Sequence, residues 1–186
     1  DGKLALRELA AKAKISLGMA VKIASALEST CYIEKKQGIK VKGWQNLLKA
    51  LSYCISINEY RRIEFLAPER SQYLIKKIST LLATEKYAFT LFSATEIVAP
   101  YVAPDKVHLY ALAGNEKKLN EIFVKNGIMA AEKGNIVCYL VDESHFYGSR
   151  EIRSAKVISF PQLYADLISY GGRGEEAAAY VMKLME

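Results

Sequence analysis

Near the end of the chain, Gly171-Gly172-Arg173-Gly174-Glu175-Glu176 sets three glycines beside an arginine and two carboxylates. That composition could cradle a phosphate with acids behind it. A Walker-type phosphate loop, however, needs G-x-x-x-x-G-K-[ST] between a strand and a helix, so that backbone N–H groups and a lysine converge on the phosphates. No lysine and no Ser or Thr follows the last glycine here. The preceding "PQLYADLISY" itself reads as a helix, with Pro161 in its first turn and Leu163, Leu167 and Ile168 on one side. The glycines are expected to end that helix in the left-handed conformation and lead into another, as a hinge. Glu175 and Glu176 then stand at the positive end of the next helix, and Arg173 is expected to fold back onto the preceding helix or Asp166.

Asp142-Glu143-Ser144-His145 is the other chemical constellation, an acid and an imidazole close enough to bind a metal or to exchange protons. His108, the second histidine, lies on a different predicted strand, and no nucleophile or second ligand set accompanies the group. Gly148-Ser149 could open a nucleotidyltransferase site, but no D-x-D pair follows to anchor two metal ions. Tyr73, Tyr87, Tyr101, Tyr110, Tyr139 and Tyr147 could stack on bases, although strand and core positions account for them more simply. The sequence therefore assigns no catalytic residue, no metal ligand and no cofactor. The alternative is a nucleic-acid-processing or nucleotide-binding enzyme with its site in the C-terminal α/β domain, around Asp142, Glu143, His145 and Arg173.

The elements that must position these residues fall into two parts. In 186 residues there is room for one large or two small domains, and half of the chain is apolar. Residues 1–86 carry 16 Lys and Arg against 8 Asp and Glu, whereas residues 87–186 carry 10 against 12. A basic front half implies a polyanionic partner. No run is long enough to cross a bilayer. Cys31, Cys54 and Cys138 lack metal or disulfide spacing and are expected as buried thiols of a cytoplasmic protein. A start at Asp1 rather than Met is expected of a fragment.

In the front half, residues 4–14 form a helix and Ser16 is a natural N-cap for a second, 17–29. Ala20, Ile23, Ala24 and Leu27 make its inward stripe, which turns Ser16, Gly18, Met19, Lys22 and Ser25 outward. "CYIEKKQGIKVKG" reads as a hairpin turning at Gln37-Gly38, and Trp44, Leu47, Leu48 and Leu51 share one face of a third helix. This is the order of a winged helix-turn-helix. Its second helix would enter a major groove of double-stranded DNA, with Lys35, Lys36, Lys40 and Lys42 of the wing, and Lys12 and Lys14 at the helix-turn, on phosphates. Alternatively the module docks protein or dimerises through an apolar Met19/Val21 face.

A strand from Tyr60 to Leu66 follows, and a connection over 57–72 leads to residues 73–186, where strands at 87–89, 106–112, 135–141 and 155–160 alternate with helices. The expected fold is α/β (α+β): a winged helix-turn-helix over 1–56, then a compact α/β domain.

Two segments of that domain, "YAFTLFSATEIVAPYVAPDKVHLYA" and "VISFPQLYADLISYGGRGEEAAAYVM", resemble the C-terminal portion of the AbiEi-type family, antitoxins and transcriptional regulators of type IV toxin–antitoxin systems. The resemblance rests on Gln162-Leu163-Tyr164-x-Asp166-Leu167 with Gly172-Arg173-Gly174-x-Glu176-Ala177. It implies a repressor of its own operon that binds DNA through the front domain. It also implies opposition to a nucleotidyltransferase-like toxin through the rear domain, without a stable complex. The chain departs from the family in lacking a helix ahead of the helix-turn-helix, and its second helix is unusually apolar. A homodimer on paired half-sites is a further expectation, with no residue naming its surface.

Overall fold

The structure of the chain, a computed structural model, describes residues 4–36, 38–100 and 103–186, so Gln37 of the expected turn and Tyr101 lie outside the described residues. The chain divides into two compact units, Asp1–Leu51 and Ser52–Glu186.

In the first unit, helix α1 (Leu6–Ala13) ends at Lys14, whose φ of 53° is left-handed, and the chain turns at once into α2 (Leu17–Ser29). Ser16 caps α2, its hydroxyl accepting the Met19 N–H at 3.2 Å. Ala20 and Ala24 are buried, but Ile23 is exposed. Three residues along a helix rotate a side chain by about 300°, which carries Ile23 to the edge of the stripe. Strands β1 (Ile33–Glu34) and β2 (Lys40–Val41) pair antiparallel, Ile33 facing Val41. In α3 (Trp44–Ser52) Leu48 is buried and Trp44 and Leu47 are half-buried, but Leu51, expected on the same sealing face, is exposed.

The second unit is built on a seven-stranded mixed sheet. Its strands are β3 (Arg62–Leu66), β4 (Tyr87–Phe89), β5 (Val107–Leu112), β6 (Met129–Ala131), β7 (Ile136–Val141), β8 (Arg150–Ile152) and β9 (Ala155–Val157), in the spatial order β6-β3-β7-β5-β4-β9-β8. The 57–72 stretch expected as a connection belongs to this unit, and its strand is a sheet member paired with β7 and β6. That strand starts at Arg62 rather than Tyr60, because a 3-10 turn occupies Ile57–Glu59. β5 and β7 pair in parallel at the centre. Their runs VHLYAL and IVCYLV are almost wholly buried, as strands covered on both faces require. The strand expected over 155–160 stops at Val157, and Phe160 already belongs to a helix that Pro161 opens.

Helices α4 (Ser71–Leu81), α5 (Leu91–Val98) and α6 (Glu116–Lys125) lie between strands, and α7 (Phe160–Tyr170) and α8 (Arg173–Lys183) close the chain. α5 is apolar nearly all round and packs against β5, α7 and α8. Two glycines permit close approaches. A Cβ on Gly134 would lie 1.9 Å from the Phe65 carbonyl oxygen, and one on Gly174 would lie 2.1 Å from that of Leu167. Beside Gly134, the Asn135 amide brackets the Ala67 backbone, accepting its N–H at 3.0 Å and donating to its carbonyl at 2.8 Å. Replacing Asn135 by Leu leaves the Ala67 N–H and carbonyl unpaired, with an expected loss of about 2 kcal/mol, read as a lowered urea midpoint.

Cys138 is buried, but Cys31 and Cys54 are exposed. Cys31 follows α2 with a φ of 63°, in a turn that keeps it at the surface. No helix among the described residues is long and apolar enough to cross a membrane.

Candidate functional site

On α2, Ala20 and Ala24 face inward, so the residues a half-turn away form the outermost line: Gly18, Lys22, Ser25 and Ser29, all exposed. These are small or hydrogen-bonding side chains at spacings of four, three and four residues. Met19 and Ile23 lie on one flank of this line, and Leu17 and Val21 on the other. Met19 and Val21 are two residues apart and thus nearly opposite across the helix, so they do not form the single apolar face expected for docking. A Cβ on Gly18 would meet nothing within 4 Å. Its bare backbone answers no packing need within the described chain.

Lys35 ties this helix to the hairpin. Its ammonium sits 2.8 Å from Glu28 and donates to the Ser25 hydroxyl at 3.1 Å. Glu34 holds the Lys42 ammonium at 3.1 Å and that of Lys36 at 3.7 Å, and the Lys42 contact pulls its carboxyl below the ordinary range. Lys12 pairs with Glu8 at 3.0 Å. Lys14, Lys22 and Lys40 make no ion pair among the described residues. Exposed pairs of this kind contribute at most about 1 kcal/mol, so an incoming phosphate can displace the carboxylate readily. Of the residues expected at the interface, Ser25 on α2 and Lys35 on the hairpin are in direct contact. Ser16, expected both as the N-cap and on the outward face, closes the helix N-terminus with its hydroxyl. The expectation passed over Ser29, which continues the Gly18–Lys22–Ser25 spacing by one more turn.

In the second unit, the acid–imidazole pair is engaged in local structure. Asp142 caps the 3-10 turn Glu143–Phe146, accepting the Ser144 N–H at 2.8 Å and lying 3.3 Å from His145 Nδ1. The Ser144 hydroxyl and the His145 ring hold its carboxyl down to about 2. His145 Nε2 meets the Tyr60 hydroxyl at 3.0 Å, and its ring packs edge-on to Tyr60. Glu143 pairs with Lys86 at 2.6 Å. Among the described residues no three His, Cys, Asp or Glu side chains gather as metal ligands.

Arg173 reaches neither α7 nor Asp166. It pairs with Asp105, just ahead of β5, at 2.6 Å and lies over the Phe92 ring of α5. Gly171 caps α7 with φ 75° and ψ −179°, and Gly172 follows at φ 53° and ψ −122°. Both therefore use positive φ, but the extended ψ of Gly171 is not the left-handed helical cap expected. The cluster joins two helices, and Glu175 and Glu176 fall in the first turn of α8.

The polar centre of this unit is a buried group that sequence reasoning did not assemble. Asp166, fully buried on α7, accepts the Thr90 hydroxyl at 2.5 Å and the Gln162 amide at 2.8 Å. Burial pushes its carboxyl up to about 6, against the pull of the Thr90, Gln162 and Tyr110 donors. The Tyr110 hydroxyl is buried close to Asp166 but makes no hydrogen bond of ordinary geometry. Thr90 is brought there by the turn from β4 into α5, where Leu91 takes φ 49°, a strained value for a non-glycine residue. On the same face of β5, two residues before Tyr110, His108 Nδ1 lies 3.2 Å from the Tyr139 hydroxyl, and burial draws its imidazole down to about 4. The available signal was an aspartate set between the inward Leu163 and Leu167, with Gln162 one turn before it.

A family described as transcriptional regulator, AbiEi antitoxin, type IV TA system matches residues 61–185, the span from the start of β3 through α8. No curated protein and no solved structure matches the chain.

Proposed function

This chain belongs to the AbiEi antitoxin family, transcriptional regulators of type IV toxin–antitoxin systems, and from that premise we propose that it binds double-stranded DNA through residues 4–51 and represses its own operon. The observation that carries the reading is the outermost line of α2. Gly18, Lys22, Ser25 and Ser29 offer a narrow, polar ridge that a major groove can admit. Lys35 fastens that ridge to a hairpin whose Lys36, Lys40 and Lys42 stand beside it for phosphate contact. This is a winged helix-turn-helix in use, with Lys12 and Lys14 as further phosphate contacts at the α1–α2 turn. Ser16 and Met19 serve the geometry of the helix start and its flank. Residues 52–186 act as a regulatory, non-enzymatic domain in the cytoplasm, opposing a nucleotidyltransferase-like toxin without a stable complex. A homodimer would read paired half-sites.

Fluorescence anisotropy against duplex from upstream of the chain's own gene and against a scrambled duplex, at several salt concentrations, tests the proposal. Selective binding that falls steeply with salt supports it; equal, weak binding to both duplexes refutes it. In the Lys40→Gln/Lys42→Gln double variant, the slope of log affinity against log salt should flatten by about 2, for two lost phosphate contacts. An unchanged slope removes the hairpin from the interface.

Gly18→Ala separates folding from recognition. An alanine meets no neighbour there and is the better helix former by about 1 kcal/mol, so the Trp44-reported midpoint should rise. Operator affinity should fall by several-fold, because the added methyl stands on the ridge. Unimpaired affinity would place the DNA elsewhere.

A further inference from the structure

The second unit holds a cavity of about 750 Å3 between α4, the end of α5 and the β8–β9 hairpin. Its floor is apolar, made by Ile75, Ile97, Ala155 and the ring of Tyr87, all buried. Its wall carries more cations than the structure itself uses. Glu96 accepts the Gln72 amide at 2.9 Å, and the Lys156 ammonium is taken by the Ala83 and Glu85 carbonyls at 2.8 and 2.9 Å. Lys76 on α4 and Arg153 on the hairpin make no ion pair among the described residues, and Glu151 is the one remaining unpaired acid of the wall. The unengaged charge is thus two cations against one anion.

The hairpin that presents Arg153 requires a left-handed backbone there, but its fold does not require an arginine. Ile152 pairs with Ala155 across a two-residue turn in which Arg153 has φ 51° and Ser154 φ 63°. Asn-Gly is the usual occupant of such a turn, because both positions are left-handed. An arginine held there costs backbone energy and gains a charge at the cavity wall.

We propose that this cavity binds a small amphipathic anion: an aromatic or aliphatic body on Ile75, Ile97 and Tyr87, and a carboxylate, sulfonate or phosphate taken by Lys76 and Arg153. The volume suits a ligand of drug-like size, and a largely apolar lining with a few convergent polar groups is the ordinary form of such sites.

The test uses the full chain and two probes that share a ring body, the anionic 8-anilinonaphthalene-1-sulfonate and the uncharged N-phenyl-1-naphthylamine, titrated by fluorescence at about physiological ionic strength. The sulfonate should bind saturably and at least fivefold tighter than the uncharged probe. In Lys76→Gln/Arg153→Asn that advantage should vanish, with a sulfonate affinity at least tenfold lower. Asparagine tolerates the left-handed turn, so the unfolding midpoint should not fall. Thr80→Trp, a substitution at an exposed position of α4 on the cavity wall, should weaken both probes without loss of fold. Equal binding of the two probes, or a sulfonate affinity unchanged in both variants, would overturn the proposal and assign the signal to exposed apolar side chains such as Leu17 and Ile23 of α2.

Discussion

Gly174→Ala should lower the urea midpoint of the 52–186 unit by the equivalent of about 3 kcal/mol or more, a fall of roughly 6–12 °C in thermal midpoint. Gly174 is buried in the first turn of α8, and the added Cβ would fall 2.1 Å from the Leu167 carbonyl oxygen of α7. That atom is backbone in the middle of a helix and cannot rotate aside as a side chain could. Either α8 moves off α7, opening the contact around Ala177, Ala178 and Val181, or α7 distorts beside Asp166. Gly134→Ala should behave alike, since its Cβ would meet the Phe65 carbonyl oxygen at 1.9 Å in the middle of β3. Gly171→Ala is the control. A Cβ there meets nothing within 4 Å, and only its backbone, φ 75° with ψ −179°, opposes the change, at about 1–3 kcal/mol. Equal midpoints for the 171 and 174 variants would mean that the two helices are not held at the distance described. Trp44, the single tryptophan, lies in the first unit, so its fluorescence reports that unit, while circular dichroism follows the helices of both.

Residues 171–176 illustrate what a sequence can carry. Paired glycines after an apolar helix, followed by acids, describe a helix end and a new helix start, and both are found. The reason for the third glycine could not be read locally, because the atom it must clear belongs to the preceding helix, and only the angle between α7 and α8 brings the two together. The same limit applies to Asp166. Its partner Thr90 is 76 residues away, and no periodicity within either segment links them. Thr90 and Asp166 lie in the two segments that resemble the family, and their buried hydrogen bond is a physical reason for those segments to occur together. β5 and β7 were legible as unbroken apolar runs, whereas β6 and β8 were not. Met129-Ala130-Ala131 and Arg150-Glu151-Ile152 are three residues each at the sheet's two edges, where one side is free and no apolar pattern is demanded. In the first unit, the position of Lys22 and Ser25 on the outer line followed from helix geometry alone. That Lys35 would join them across the hairpin did not, since it depends on Glu28 holding the same ammonium.

Asp166→Asn should expose a pH dependence of stability that the native chain conceals. The folded carboxyl titrates near 6 against an ordinary 3.8, so the native state holds this proton more tightly than the unfolded chain. Its stabilising contribution is complete below about 3.8 and is lost as pH rises through 6, an amount on the order of 3 kcal/mol. His108 works in the opposite sense. Its imidazole titrates near 4 rather than 6.5, so its contribution is complete above 6.5 and is lost as pH falls through 4, again on the order of 3 kcal/mol. Over pH 4–6.5 the two slopes oppose and largely cancel each other. What remains at the acid end is the loss from the lowered carboxyls of Glu34, Glu64 and Glu69, which the native chain shares with both variants. In Asp166→Asn the amide oxygen still accepts from Thr90, Gln162 turns its own carbonyl toward the new NH2 group, and no proton is exchanged. Of the two buried groups only His108 then contributes a slope, and the variant should fall in stability from pH 6.5 to pH 4 more steeply than the native chain does. His108→Gln should depart from the native chain in the reverse sense, from Asp166 alone. The groups facing Asp166 are Thr90 at the β4–α5 turn, Gln162 on α7, Tyr110 on β5 and, through its charge, His145. Asp142 is largely exposed and its lowered carboxyl acts at the acid limit of the range, equally in both variants. The difference between the Asn and Gln variants therefore isolates the buried pair. Parallel profiles in the two variants would mean that Asp166 and His108 do not titrate as opposed buried groups, and that Asp166 is held in the core by its hydrogen bonds to Thr90 and Gln162 with its proton free to come and go.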